Sequence, residues 1–130
     1  MRIFLAHAKG AAEDAHVGYL AAEIASRFPG ASVVLSRDAH RETFADGGGW
    51  LSWAHMVGSG HDWQGQPTYD GYVILTDLVG RVTAHIVAAA LSANRGVIYW
   101  PRGASAPAPV RAVEAVPGSE SWTHGWRIIT

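Results

Sequence analysis

The stretch from Gly71 to Arg102 carries the clearest alternation of apolar and polar positions in the chain, and it reads as one strand, helix, strand unit. Tyr72 to Thr76 is a short apolar run rich in β-branched residues, closed by Asp77, and Val97 to Trp100 is a second one, closed by Pro101. Between them Val82, Ile86, Ala89, Ala90 and Ala93 recur at helical spacing, with Asn94 and Gly96 placed to stop the helix. Two parallel strands need a crossover, and this helix must then cover one face of a sheet. The loops that follow the strands share one edge.

The same pattern opens the chain. Arg2 to His7 is apolar at Ile3, Phe4 and Leu5, which predicts a central strand, with Ala8, Lys9 and Gly10 turning the chain after it. From Glu13 to Phe28 the set Val17, Leu20, Ala21, Ile24 and Phe28 keeps helical spacing, and Pro29 with Gly30 ends it. Val33, Val34 and Leu35 form another buried strand within Ala31 to Ser36, followed by the polar segment Arg37 to Glu42. Trp50, Trp53, Ala54 and Val57 are spaced for a short helix before Gly58, Ser59 and Gly60. His61 to Asp70 reads as a surface loop or a lid, and the segment after Pro101 as an extended Pro-rich connector. Val110 to Val116 fits a short helix or an edge strand, and Trp126 to Thr130 a last strand added to the sheet edge.

Alternating β and α elements with no hairpin signal predict an α/β fold with a mostly parallel, doubly wound sheet of four to five strands. At 130 residues with 48% hydrophobic positions the chain holds one core, so the expectation is a single domain over residues 1–130. Net charge is −1, and Lys9 is the only lysine against nine arginines, which argues against polymeric nucleic acid as a partner. No cysteine is present, so there is no thiolate nucleophile or disulfide, a composition that suits the cytoplasm. No apolar run approaches the length of a membrane span.

Ligands of such sheets bind beyond the carboxyl ends of the strands, where the strand order reverses. With order 2-1-3-4 the crevice sets His7, Ala8, Lys9 and Gly10 opposite Thr76, Asp77 and Leu78, with Arg37 and Asp38 flanking it. Arginine can grip a phosphate or carboxylate, although Arg37 beside Asp38 also reads as a solvated ion pair. Trp63, in a loop, is placed to stack on a base, whereas Trp50 and Trp53 fit a core. His55 and His61 lack the spacing of a zinc site, and no metal or other cofactor is expected. Gly47 to Gly49 fits neither familiar phosphate-binding loop.

The phrases IFLAHAKG with Asp14 following, VVLSRDAH, GGGW and YDGYVILTD resemble the pattern of TIR domains, and are similar to nucleoside 2-deoxyribosyltransferase-like proteins. The likeness covers roughly residues 2 to 100. It implies a three-layer flavodoxin-like domain and an N-glycosidase or deoxyribosyltransferase-like activity on a nucleoside, nucleotide or NAD-like ligand. Both families place a catalytic Glu on the helix after the Asp-bearing strand. Here the aligned phrase is Thr83-Ala84-His85-Ile86, and no glutamate occurs between Glu42 and Glu114.

Two functions stay open. In the first, Asp77 supplies the negative charge, His85 or His7 acts as general acid toward the leaving base, and Thr83 touches the ligand. In the second, the protein is a catalytically inactive module for ligand binding or for assembly, with Trp63, Trp122 and Trp126 as a self-association face. Asp77 has a structural reading as well, as N-cap of the helix that starts near Arg81.

Overall fold

A computed structural model describes residues 1–7, 14–43, 49–62, 64–118 and 124–130, with side chains for all of these except 41–43. Ala8, Lys9, Gly10, Trp63 and Trp122, singled out above, lie outside the described residues, as do Gly47 and Gly48.

The main sheet is built from β1 (Arg2–Ala6), β2 (Ser32–Leu35), β3 (Gly71–Ile74) and β5 (Gly96–Tyr99), all parallel, plus the antiparallel edge strand β6 (Ala108–Pro109). Its order is β2-β1-β3-β5-β6, so the four parallel strands follow the order expected from the sequence. Alternate residues of these strands enter two separate cores. Phe4, Tyr72, Ile74 and Val97 face one cluster, and Ile3, Leu5, Val73 and Leu75 face the other. Burial on both faces is why the strands read as unbroken apolar runs rather than as alternation.

The first cluster is closed by α3 (Gly49–Ser59) and α4 (Arg81–Ser92) through Trp53, Ala54, Val57, Ile86, Val87 and Ala90. Small residues let these two helices approach closely: a Cβ built on Gly58 would stand 2.4 Å from the carbonyl oxygen of Ile86 and 2.7 Å from the Ala89 Cβ. Beneath them the Tyr72 hydroxyl donates to the carbonyl of Val57 at 2.5 Å, which satisfies a phenol that burial would otherwise strand. The second cluster has α1 (Ala15–Arg27) as its helix, contributing Val17, Leu20 and Ile24. Asp14 caps α1, its Oδ1 accepting the His16 N–H at 2.7 Å. Asn94, at φ +56, turns the chain between α4 and β5 in the left-handed region that Asn tolerates.

Three features depart from the expectations. The polar segment after β2 is a helix, α2 (Ser36–Thr43), whose one fully buried apolar residue is Ala39. One buried alanine gives no periodic signal. Trp126 to Thr130 does form a strand, β8 (Trp126–Ile129), but not on the edge of the main sheet. It sits between β4 (Leu78–Val79) and β7 (Ala112–Ala115) in a separate antiparallel sheet. The amide of Ile128 donates to the carbonyl of Asp77 at 2.8 Å, which draws this sheet onto the chain leaving β3. The loop 61–70 is not all surface, because Thr68 and Tyr69 are buried, with the Arg2 guanidinium 5.0 Å above the Tyr69 ring. Asp62 shapes the rest, its Oδ1 accepting the amides of Gln64 and Gln66.

No helix among the described residues is long and apolar enough to cross a membrane.

Candidate site at the carboxyl edge of the parallel sheet

The order reverses between β1 and β3, and the residues that leave these strands are His7 on one side and Leu75, Thr76 and Asp77 on the other. His7 is half-buried and turned toward β2. Its amide donates to Ser36 Oγ at 3.3 Å, and its Nε2 accepts the backbone N–H of Arg37 at 3.2 Å. The ring therefore carries its proton on Nδ1 and fastens the end of β1 to the start of α2.

Arg37 and Asp38 pair with each other, Nε to Oδ1 at 3.0 Å, with both side chains more than a third exposed. This is the solvated ion pair anticipated for them, worth about 1 kcal/mol or less.

Asp77 is exposed, and its carboxylate makes no hydrogen bond or ion pair with a described residue. It does not cap α4: the N-cap is Gly80, which has no side chain to offer. The capping reading of Asp77 is thus corrected, because the two residues of β4 stand between Asp77 and the helix. Its electrostatic neighbour is Tyr99 at the end of β5, where Ile74 and Tyr99 are in register. Burial pushes the Tyr99 phenol above its ordinary 10.0, and the negative charge of Asp77 adds to the rise. Thr76 turns back on the chain, its Oγ1 donating to the carbonyl of Leu78 at 2.9 Å.

His85 lies on the exposed stripe of α4. Ala84, Ile86, Val87 and Ala90 form the buried stripe of α4, and His85, with Ala88 and Ser92, lies on the exposed one. Its Nδ1 donates to the Arg81 carbonyl one turn earlier at 2.9 Å. No hydrogen bond or ion pair joins Asp77 to His7 or to His85, so the three do not form one hydrogen-bonded group. Thr83 sits half-buried in the first turn of α4.

The structure adds groups at this edge that the sequence did not single out. Tyr99 is one. Another is Arg81, whose guanidinium lies 5.2 Å over the ring of Trp126, leaving that tryptophan half-buried. A third is the stack of His40 on Trp50, 4.4 Å between centroids and 11° between planes, with Trp53 edge-on to both. Trp53 belongs to the core as expected, but Trp50 keeps 47% of its surface exposed. A strand-end position shared by Tyr99 and Asp77 was the available signal for the first. Nothing in the local sequence signals the other two.

Among the described residues no group of three or more His, Asp or Glu is placed to hold a metal ion. No protein-family model, curated protein or solved structure matches this chain.

Proposed function

We propose that this chain is a single flavodoxin-like domain, three layers deep, that binds a nucleoside, nucleotide or NAD-like ligand at the carboxyl edge of its parallel sheet without cleaving it. The observation that carries the reading is the Asp77 carboxylate: exposed, free of hydrogen bonds to described residues, and standing at the strand ends beside Tyr99. A carboxylate so placed is suited to accept hydrogen bonds from the hydroxyls of a ribose, as acidic residues do in other open α/β sheets. Support for binding without chemistry comes from the imidazoles. His7 spends Nε2 on the Arg37 amide and His85 spends Nδ1 on the Arg81 carbonyl, and neither is hydrogen-bonded to Asp77.

The test is a calorimetric titration of the protein with adenosine, AMP, deoxynucleosides and NAD at millimolar concentration, paired with chromatography for freed base. Saturable binding of at least one of them, weakened about tenfold or more in Asp77→Asn, is expected, because a charged acceptor is lost. Absence of binding across the panel would overturn the reading, and release of base above the uncatalysed rate would overturn its non-catalytic part.

A further inference from the structure

A groove of about 270 Å³ runs between α1 and the loop that follows β5, on the sheet face opposite α3 and α4. Its origin is geometric. Four parallel strands span roughly 15 Å between their outer axes, whereas one helix with its side chains covers about 10 Å. The other face has α3 and α4, with Ala39 of α2 beside them, whereas among the described residues this one has α1, so the flank over β5 is left to Trp100 and the loop. Trp100, 4% exposed, fills the floor next to Leu20, and its indole N–H donates to the Ala104 carbonyl at 3.1 Å, which holds the loop as the outer wall.

The helix side of the groove is polar at each turn. His16, Tyr19, Glu23 and Arg27 follow one another along one stripe of α1. Arg27 is fixed in two directions: its Nε donates to Glu23 Oε1 at 2.9 Å, and its guanidinium carbon lies 4.9 Å over the Trp100 ring. Those contacts set the plane of the guanidinium but use neither terminal nitrogen, and among the described residues Nη1 and Nη2 have no hydrogen-bond acceptor. Among the described residues His16 Nε2 is buried without a hydrogen-bond partner, and Tyr19 is 63% exposed above the floor. The groove therefore presents a pre-positioned two-donor fork beside an aromatic and aliphatic floor.

We infer that this groove binds a small monocarboxylate carrying an apolar ring, its carboxylate on the Arg27 fork and its ring against Leu20, Trp100 and Tyr19. A planar fork matches a carboxylate with two parallel hydrogen bonds. Glu23, already on the Nε of the same guanidinium, disfavours a dianion such as a phosphate monoester. The volume is below that of ordinary drug-sized sites, which limits the guest to about the size of one substituted ring. Free acids and aromatic amino acids share this chemistry, and Glu23 distinguishes them, since an ammonium group could meet its second carboxylate oxygen. The inference stands apart from the Asp77 edge.

The experiment titrates the protein with phenylacetate, L-phenylalanine and neutral benzyl alcohol, followed by the indole N–H signals in heteronuclear NMR. Phenylacetate should saturate in the millimolar range and bind about tenfold tighter than benzyl alcohol, with Arg27→Gln erasing that difference. Arg27→Lys keeps the charge over Trp100 and next to Glu23 but not the fork, so it should weaken phenylacetate several-fold in a protein of unchanged fold. Asp77→Asn should leave the titration as it is. Tighter binding of phenylalanine that is lost in Glu23→Gln identifies an amino acid as the guest, and equal or weaker binding identifies a free acid. Equal affinity for benzyl alcohol and phenylacetate, no saturation, or indifference to both Arg27 variants overturns the inference.

Discussion

The Nε2 of His7 accepts the backbone N–H of Arg37 at 3.2 Å, so a side chain at the end of the first strand starts a helix thirty positions further along the chain. Ser36 Oγ completes the junction by accepting the His7 amide. The Arg37 amide lies in the first turn of α2, where backbone donors are otherwise left to solvent. His7→Ala removes the acceptor and should lower stability by about 0.5–2 kcal/mol, the usual cost of losing an N-terminal helix acceptor. Urea denaturation measures this, and a midpoint equal to wild type would show that the contact contributes nothing.

Gly58 is required by distance rather than by backbone angle. Adding a methyl group places it 2.4 Å from the Ile86 oxygen, so α3 and α4 must separate. Gly58→Ala is expected to cost about 1–3 kcal/mol or more, since the clash is with backbone that cannot swing away. Gly18, on the exposed side of α1, has open space around its missing Cβ, and Gly18→Ala should be neutral or stabilising when both glycine variants are compared with wild type by thermal melting.

Asp14 links the acid limb of stability to α1. The hydrogen bond from the His16 amide is the largest cause holding its carboxyl below the ordinary 3.8; burial, next in size, opposes it, and the charges of Arg102 and His16 lower it further. A depressed pKa means that the native state binds fewer protons than the unfolded chain, so this contribution is complete above about pH 4 and is lost as pH falls through the native value. Asp14→Asn keeps a capping side chain but not the titration. Its stability should fall less steeply than wild type between pH 4 and pH 2 in denaturant titrations, and parallel curves would remove Asp14 from the account.

Tyr99 reports on the surroundings of Asp77. Burial is the larger cause of its raised pKa and Asp77 the smaller, so Asp77→Asn should bring the phenol down while leaving it above 10.0. With the native value above the unfolded one, the stability tied to Tyr99 is present below pH 10 and lost as pH climbs through the native pKa. Spectrophotometric titration of the four tyrosines, with Tyr99→Phe to assign the transition, reads the shift directly. No movement would place Asp77 too far from Tyr99 for the site proposed.

What the sequence made legible follows from where signal accumulates. The order β2-β1-β3-β5 could be anticipated because strands buried on both faces, such as Phe4-Leu5 and Val73-Ile74, appear as compact apolar runs separated by an amphipathic helix. Helix α2 could not, since it presents Ala39 alone to the core and owes its first turn to His7, which no local window contains. Strand β4, at two residues, is shorter than any period. At the site, the edge residues His7, Arg37 and Asp77 were found by topology and the Arg37–Asp38 pair was anticipated, but the contacts of His7 and Asp77 were not. A histidine at a strand end looks the same in sequence whether its ring nitrogen meets a ligand or a neighbouring amide. His85 was named by alignment of a short phrase, and helical phase alone, with Ala84, Ile86 and Val87 buried around it, puts it on the outer stripe.

The small sheet β4-β8-β7 joins segments that lie far apart along the chain, through the Ile128 amide on the Asp77 carbonyl and the pairing of Leu78 with Arg127. Strand β4 contributes two residues to this sheet, so little pairing ties β8 to the chain leaving β3. Strands β1 and β3 lie inside the main sheet and are buried on both faces. Amide hydrogen exchange should therefore divide the molecule, with the protons of Phe4, Leu5 and Val73 surviving longest and those of β7 and β8 released first through local opening. Asp77 stands where the two sheets meet: its carbonyl holds β8 while its carboxylate faces solvent, so opening of the small sheet would reshape the very edge at which a ligand is proposed to bind.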